Sequence, residues 1–317
     1  MNEVHPLAAC DFNARTAFRE LASASKGVIL GAESRPMFDA MRAATPSPDG
    51  INFGKDMIGG VSGWWCRPVG SNAKECILFL HGGGYVLGSA RSMLGFAGQI
   101  ASRSGMPVFV ADYRLAPEHP FPAAIDDAVA AYRGLVATGS RRILLAGDSA
   151  GGGLALALLA IVAQLGPEAL PAPLGAAVFS PWTDLSLSAP SMSTRADADP
   201  IFTKAALSAF ADAYLQGADP GDARASPLGA RLAGLPPVRI DVGDDEILLD
   251  DATRFAERAR GAGTVVDLAT WLGMHHVFPA ALDRFSAARS AMDAAARFLR
   301  ACTTADNARA PGEVSRW

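Results

Sequence analysis

The pentapeptide Gly147-Asp148-Ser149-Ala150-Gly151 carries the clearest chemistry in this 317-residue chain. It lies between a short apolar run, RILLA (142–146), and a long apolar stretch over 149–165. A serine on a tight strand-to-helix turn is pushed outward at the carboxyl edge of a sheet, where a substrate can reach its hydroxyl. Flanking glycines tolerate the crowded backbone, and a helix amino terminus favours negative charge developing nearby. GxSxG alone is common in turns. The strand–turn–helix setting is what separates a candidate nucleophile, Ser149, from an inert turn serine. Upstream, His81-Gly82-Gly83-Gly84-Tyr85 follows another apolar run, CILFL (76–80). Consecutive glycines present successive N–H groups unobstructed, as an oxyanion hole requires. Gly83 and Gly84 are the candidate donors, with the N–H of Ala150 as a further one. His81 and Gly82 are expected to brace this loop. A phosphate loop fits poorly, because the run has no Gly-Lys-Ser/Thr ending and no GxGxxG spacing.

A serine hydroxyl is a poor nucleophile until a base takes its proton, and histidine titrates in the useful range. The chain has five histidines: His5, His81, His119, His275 and His276. His5 lies near the amino terminus, His81 belongs to the glycine loop and His119 sits in the proline-rich turn PEHPFP (117–122). The base is therefore sought in GMHHVF (273–278), where His275 and His276 both stand. An orienting carboxylate must lie at the same sheet edge. The segment VGDDEILLDD (242–251) follows the apolar run VRIDV, and Asp244, Asp245 and Glu246 all qualify by position. Asp250 and Asp251 read more simply as acidic residues opening a helix.

Positioning these groups requires a particular arrangement of elements. Short β-rich runs at 76–80, 107–111, 142–146, 176–180, 238–242 and 265–271 alternate with helical stretches such as 123–137 and 248–263. That alternation indicates βαβ units and a mostly parallel sheet with helices on both faces. GVSGWWCRP (60–68) reads as an antiparallel edge strand or hairpin. Residues 1–45 read as helical, and 183–235 is far longer than one crossover; such insertions are usually lids or functional loops. The tail 303–317 reads as polar and loose.

Composition limits the class. Half of the residues are apolar, 19% are charged and the net charge is −4, which offers no electrostatic case for nucleic acid. Four cysteines show neither CxxC pairing nor metal-like clustering with histidine. The first twenty residues lack a basic region followed by an apolar core. The longest strongly apolar run, 154–163, has ten residues, against the roughly twenty of a membrane span. A reduced, cytoplasmic protein without a membrane span is expected.

HGGGYVLGS (81–89), DYRLAPEHPFPAAIDDA (112–128), GDSAGG (147–152) and SPWTDLS (180–186) occur in that order. Together they resemble the hormone-sensitive-lipase-like branch of the α/β-hydrolases, mostly bacterial carboxylesterases. The resemblance spans roughly residues 50–300. It implies an α/β-hydrolase fold with a mostly parallel eight-stranded sheet and a helical cap. The cap would comprise residues 1–50 and an insertion at about 183–235 in a catalytic domain of 51–317. It also selects His276, which precedes Val-Phe, and favours Asp245 as the acid, leaving His275 as a partly exposed loop residue. The expected function is hydrolysis of short-chain, small-molecule esters by Ser149, His276 and Asp245 through an acyl-enzyme, without metal or organic cofactor. Candidate pocket aromatics are Phe12, Phe18, Phe38, Trp182, Phe202 and Phe210. Lactone hydrolysis is the runner-up. Amidase activity and a non-catalytic receptor role are weaker alternatives, and a homodimer is suggested by the resemblance alone.

Overall fold

Apolar side chains alternating along short strands demand cover on both faces of a sheet, and the chain supplies it with helices placed between strands. A computed structural model describes residues 1–72 and 74–309. In chain order the elements begin with β1 (Asn2–His5), α1 (Phe12–Ser23), α2 (Arg35–Arg42), β2 (Ile51–Ile58), β3 (Val61–Pro68) and β4 (Glu75–Leu80). They continue with α3 (Leu94–Ser104), β5 (Val108–Ala111), α4 (Ala123–Ala137), β6 (Arg142–Asp148), α5 (Ser149–Leu165) and β7 (Ala176–Phe179). The last are α6 (Ser191–Thr194), α7 (Lys204–Leu215), β8 (Val238–Gly243), α8 (Leu249–Gly261), β9 (Val266–Trp271) and α9 (Ser286–Arg309).

The strands form one nine-stranded sheet in the order β1-β9-β8-β7-β6-β4-β5-β3-β2. Pairings from β1 across to β5 are parallel, and the β5–β3 and β3–β2 pairings are antiparallel, so β3 runs against the rest. Strand β4 shows how the core is divided. Ile77 and Phe79 pack with Phe96 of α3 and Met292 of α9. Cys76, Leu78 and Leu80 face the other side, with Ile125 of α4, Leu154 of α5 and Phe255 of α8. Burying each such Leu or Phe contributes about 2 kcal/mol. The chain leaves β4 on one side to form β5 and returns on the other to form β6. Loops after β4 and β6 therefore meet at a topological switch point, the usual ligand crevice of an open parallel sheet.

Three expectations change. The sheet has nine strands rather than eight, because Asn2–His5, expected within a helical segment, is a strand paired parallel to β9. The His5 ring stacks on Trp271 at 3.8 Å and helps hold that edge. Of the two readings of 60–68, the antiparallel hairpin holds and the edge strand does not: β3 pairs with β2 across the Gly59-Gly60 turn, and β2 occupies the edge. The tail read as loose continues α9 to Arg309, and 310–317 lie outside the described residues. The two irregular segments touch each other: Arg19 and Lys26 donate to the carbonyls of Ala198 and Ala196, and the Gly27 N–H donates to Ile201 O. Among the described residues, no helix is long and apolar enough to cross a membrane.

Candidate active site

Strand β6 runs straight into α5, so the turn between them has no spare residues. Asp148 is still extended (φ −124°), whereas Ser149 adopts φ +55°, a left-handed conformation costing about 1–2 kcal/mol in a non-glycine residue. Surrounding contacts hold it there. The Ser149 carbonyl accepts the Trp182 N–H at 3.0 Å. Gly151 lies so close to β4 that a Cβ would stand 2.1 Å from the Leu80 carbonyl oxygen. No side chain fits there.

His276 bridges this turn to the loop after β8. Its Nε2 is 2.9 Å from Ser149 Oγ, and its Nδ1 is 2.7 Å from Glu246 Oε2. An ionised carboxylate only accepts, so Nδ1 carries the proton and Nε2 is left to accept from the Ser149 hydroxyl. The other Glu246 oxygen, Oε1, accepts from Ser180 Oγ and the Gly243 N–H, each at 2.8 Å. Ser180 Oγ in turn accepts the Val277 N–H, tying the carboxylate's support to the residue after His276. Glu246 is fully buried. A serine, an oriented imidazole and a hydrogen-bonded carboxylate in series form the arrangement in which a hydroxyl can be deprotonated for attack.

The structure thus places Glu246, not Asp245, on the histidine. Asp245 turns the other way, and its Oδ2 accepts from Arg15 Nη2 at 2.7 Å and Arg19 Nη1 at 3.0 Å, both on α1. Asp244 accepts the Gly273 N–H. His275 is also not the partly exposed residue expected. It is buried, stacked on Phe18 at 3.7 Å and flanked by Phe285. Burial, reinforced by nearby His276 and Arg284, lowers its pKa to about 3. It is a neutral packing residue.

The glycine loop lies against the Ser149 turn: a Cβ on Gly82 would stand 3.0 Å from Ser149 Cβ. The Gly82 N–H is occupied by Asp148 Oδ1 at 2.9 Å. Gly83 and Gly84 follow with φ +127° and +62°. Ala150 is in the first turn of α5, where N–H groups have no acceptor within the helix. His81 is buried, its ring stacked on Tyr113 at 4.4 Å and its Nδ1 2.9 Å from Gly82 O. Burial lowers its pKa, so it stays neutral. Among the candidate aromatics, Phe202 stands edge-on to His276 at 5.1 Å, and the Phe210 ring would lie 2.6 Å from a Cβ on Gly84. Phe12 is exposed, Trp182 is core, Phe38 packs on the core edge and Phe18 covers His275.

Two supporting residues escaped the sequence reading. Ser180 sits at φ +47° directly after β7; its only sequence signal was its place at the head of SPWTDLS. Buried Asp199 accepts the N–H groups of Ile201, Phe202 and Ile247, tying the long insertion to the residue after Glu246. Burial raises its pKa despite those donors. Among the described residues, no group of three or more His, Cys, Asp or Glu is placed to hold a metal ion.

The α/β-hydrolase-fold family model matches residues 77–280, a span holding the glycine loop, the Ser149 turn, Glu246 and His276. The chain belongs to the α/β-hydrolase family. Among the proteins it resembles, solved structures include enzymes of the hormone-sensitive-lipase family, and curated relatives include esterases and acetyl-hydrolases. An acetyl-hydrolase of Streptomyces hygroscopicus is 40% identical over 78% of this chain and 82% of that protein. An esterase of Acinetobacter venetianus is 36% identical, covering 83% and 87%. A solved bacterial esterase of the hormone-sensitive lipase family superposes with a TM-score of 0.85 at 37% identity, covering 93% of this chain and 98% of that one. This α/β-hydrolase therefore carries the branch's fold over nearly its whole length.

Proposed function

We propose that this α/β-hydrolase is a carboxylic ester hydrolase that acts through an acyl-enzyme on Ser149. The continuous hydrogen-bonded series Ser149–His276–Glu246 carries the reading. His276 Nε2 takes the hydroxyl proton as Oγ attacks the ester carbonyl. Negative charge builds on the carbonyl oxygen, and the N–H groups of Gly83, Gly84 and Ala150 receive it. Glu246 holds the Nδ1–H tautomer and stabilises the imidazolium that forms. Collapse of the tetrahedral species expels the alcohol, which takes the proton from Nε2. Water then enters, loses a proton to His276 and attacks the acyl carbonyl. Protonation of Ser149 Oγ releases the acid and restores the enzyme.

The segment 1–50 and the insertion at 183–235 act as the cap. Rings from the insertion, Phe202 and Phe210, stand beside His276 and Gly84, where the acyl group must fit. This crowding supports a preference for short acyl chains, in keeping with the acetyl-hydrolase among its relatives. Ser149→Ala is expected to lower kcat for p-nitrophenyl butyrate by about 10⁶-fold with an unchanged melting temperature. Near-wild-type turnover by that variant would overturn the reading. Wild-type enzyme should cleave the butyrate ester faster than the dodecanoate; the reverse order removes the short-chain assignment.

A further inference from the structure

Helix α2 turns its charged groups towards the protein and leaves two apolar side chains outside. Met37 and Met41 are 59% and 60% exposed, whereas Arg35, Asp39 and Arg42 face the protein beside the partly buried Phe38. Positions 35, 39 and 42 are spaced i, i+4 and i+7, so they lie on one helix face. A surface helix ordinarily shows the opposite arrangement. All three charged residues bond to the segment 81–89, which opens with the glycine loop, or to the Ser149 turn. Arg35 Nε donates to Val86 O at 2.9 Å, and Asp39 Oδ2 accepts from Ser89 Oγ at 3.0 Å. Arg42 Nη2 donates to Asp148 Oδ2 at 2.9 Å, with side-chain exposures of only 11% and 3%.

We infer that Arg42 is a positioning residue for the oxyanion loop, acting through Asp148, so that docking of α2 completes the catalytic site. This rests on the ester-hydrolase reading above. The Asp148 carboxylate spans two partners: Oδ2 meets Arg42, and Oδ1 accepts the Gly82 N–H at 2.9 Å. Gly82 immediately precedes the proposed oxyanion donors, so its orientation sets the direction of the next two N–H groups. A buried carboxylate stripped of its charge partner is strongly disfavoured. Without Arg42, the Asp148 carboxylate loses the partner that fixes Oδ2 and is free to rotate towards water, which loosens its hold on Gly82. Met93 Sδ and the Phe96 ring pack on the guanidinium and fix its approach. The loss should fall on transition-state stabilisation rather than on substrate binding, because the charged oxygen exists only after attack.

The test compares Arg42→Ala, Arg42→Lys and Met41→Ala with wild type on p-nitrophenyl butyrate, alongside Ser149→Ala. Arg42→Ala should lower kcat by on the order of 10²-fold, with KM within about twofold. Millimolar guanidinium should restore part of that loss, and Arg42→Lys should fall between Arg42→Ala and wild type. Met41→Ala should match wild type. The inference is overturned if folded Arg42→Ala keeps its kcat within about twofold, or if guanidinium restores nothing. It is also overturned if Met41→Ala loses as much. Should Arg42→Ala fail to fold, Arg42→Lys decides: a wild-type kcat overturns the inference. An active Ser149→Ala variant would instead break the ester-hydrolase reading. An inactive Ser149→Ala beside an unimpaired Arg42→Ala breaks only this one.

Discussion

The Ser149 turn and the turn Asp244-Asp245-Glu246 lie at the same sheet edge and meet through His276, yet they are specified in different ways. At Ser149 the backbone decides. Strand and helix abut without a linker, Gly151 touches the Leu80 carbonyl, and the side chain has one direction in which to point. At the carboxylate turn the partners decide. Three neighbouring acidic side chains diverge to the Gly273 N–H, to Arg15 and Arg19, and to His276. A site defined by backbone geometry is local and recurs as a motif. A site defined by remote partners depends on what the fold brings near.

Exchanging the two acids at their amide level is the strongest way to break this contrast. Glu246→Gln should reduce kcat for p-nitrophenyl butyrate by about 10⁴-fold, because the amide no longer enforces the Nδ1–H tautomer. A variant with wild-type kcat would return the acid's role to another residue. For the backbone side of the contrast, Gly151→Ala should destabilise the fold by about 4 kcal/mol in urea unfolding, at the upper end for overpacking. A loss under 1 kcal/mol would mean that the contact with β4 relaxes readily.

The His275 ring offers a pH test of the distinction between the adjacent histidines. Its folded pKa, about 3, lies below the ordinary histidine value. The unfolded chain therefore binds a proton that the folded chain refuses, and stability falls as pH drops from about 6.5 towards 3. His275→Phe should remove ~3 kcal/mol of that acid-limb loss, seen as a shallower decline of melting temperature between pH 6.5 and 4. An unaltered slope would show that His275 is protonated in the folded protein. Smallest of all, Asp245→Asn should cost about 1 kcal/mol of stability through its ion pairs with α1 and leave kcat within a few-fold. A thousand-fold fall in kcat would erase the difference between Asp245 and Glu246.

Much of the fold was legible because periodicity is local. The six expected parallel strands form within a residue or two of their apolar runs, and two glycine motifs mark the loops that meet at the switch point. Strand β1 was not legible. Asn2–His5 alternates between exposed and half-buried positions and gains its identity from pairing with β9, some 260 residues away. The choice of His276 over His275 came from the family pattern around Val277, since two adjacent histidines look alike to any local rule. Only packing distinguishes them: Phe18 and Phe285 enclose one ring, while Glu246 and Ser149 hold the other.

The amino-acid sequence by itself determined the parallel α/β architecture, the exposed serine turn and the glycine loop. Each depends on residues within a few positions of one another, where sterics and hydrophobic alternation act directly. Tertiary structure decided which of three adjacent carboxylates faces the histidine and that α2 turns its charged face inward. Both outcomes turn on the desolvation of ionised groups. A buried carboxylate persists only where partners surround it, and those partners arrive from Ser180, Gly243 and His276 for Glu246 and from Arg42 and Gly82 for Asp148.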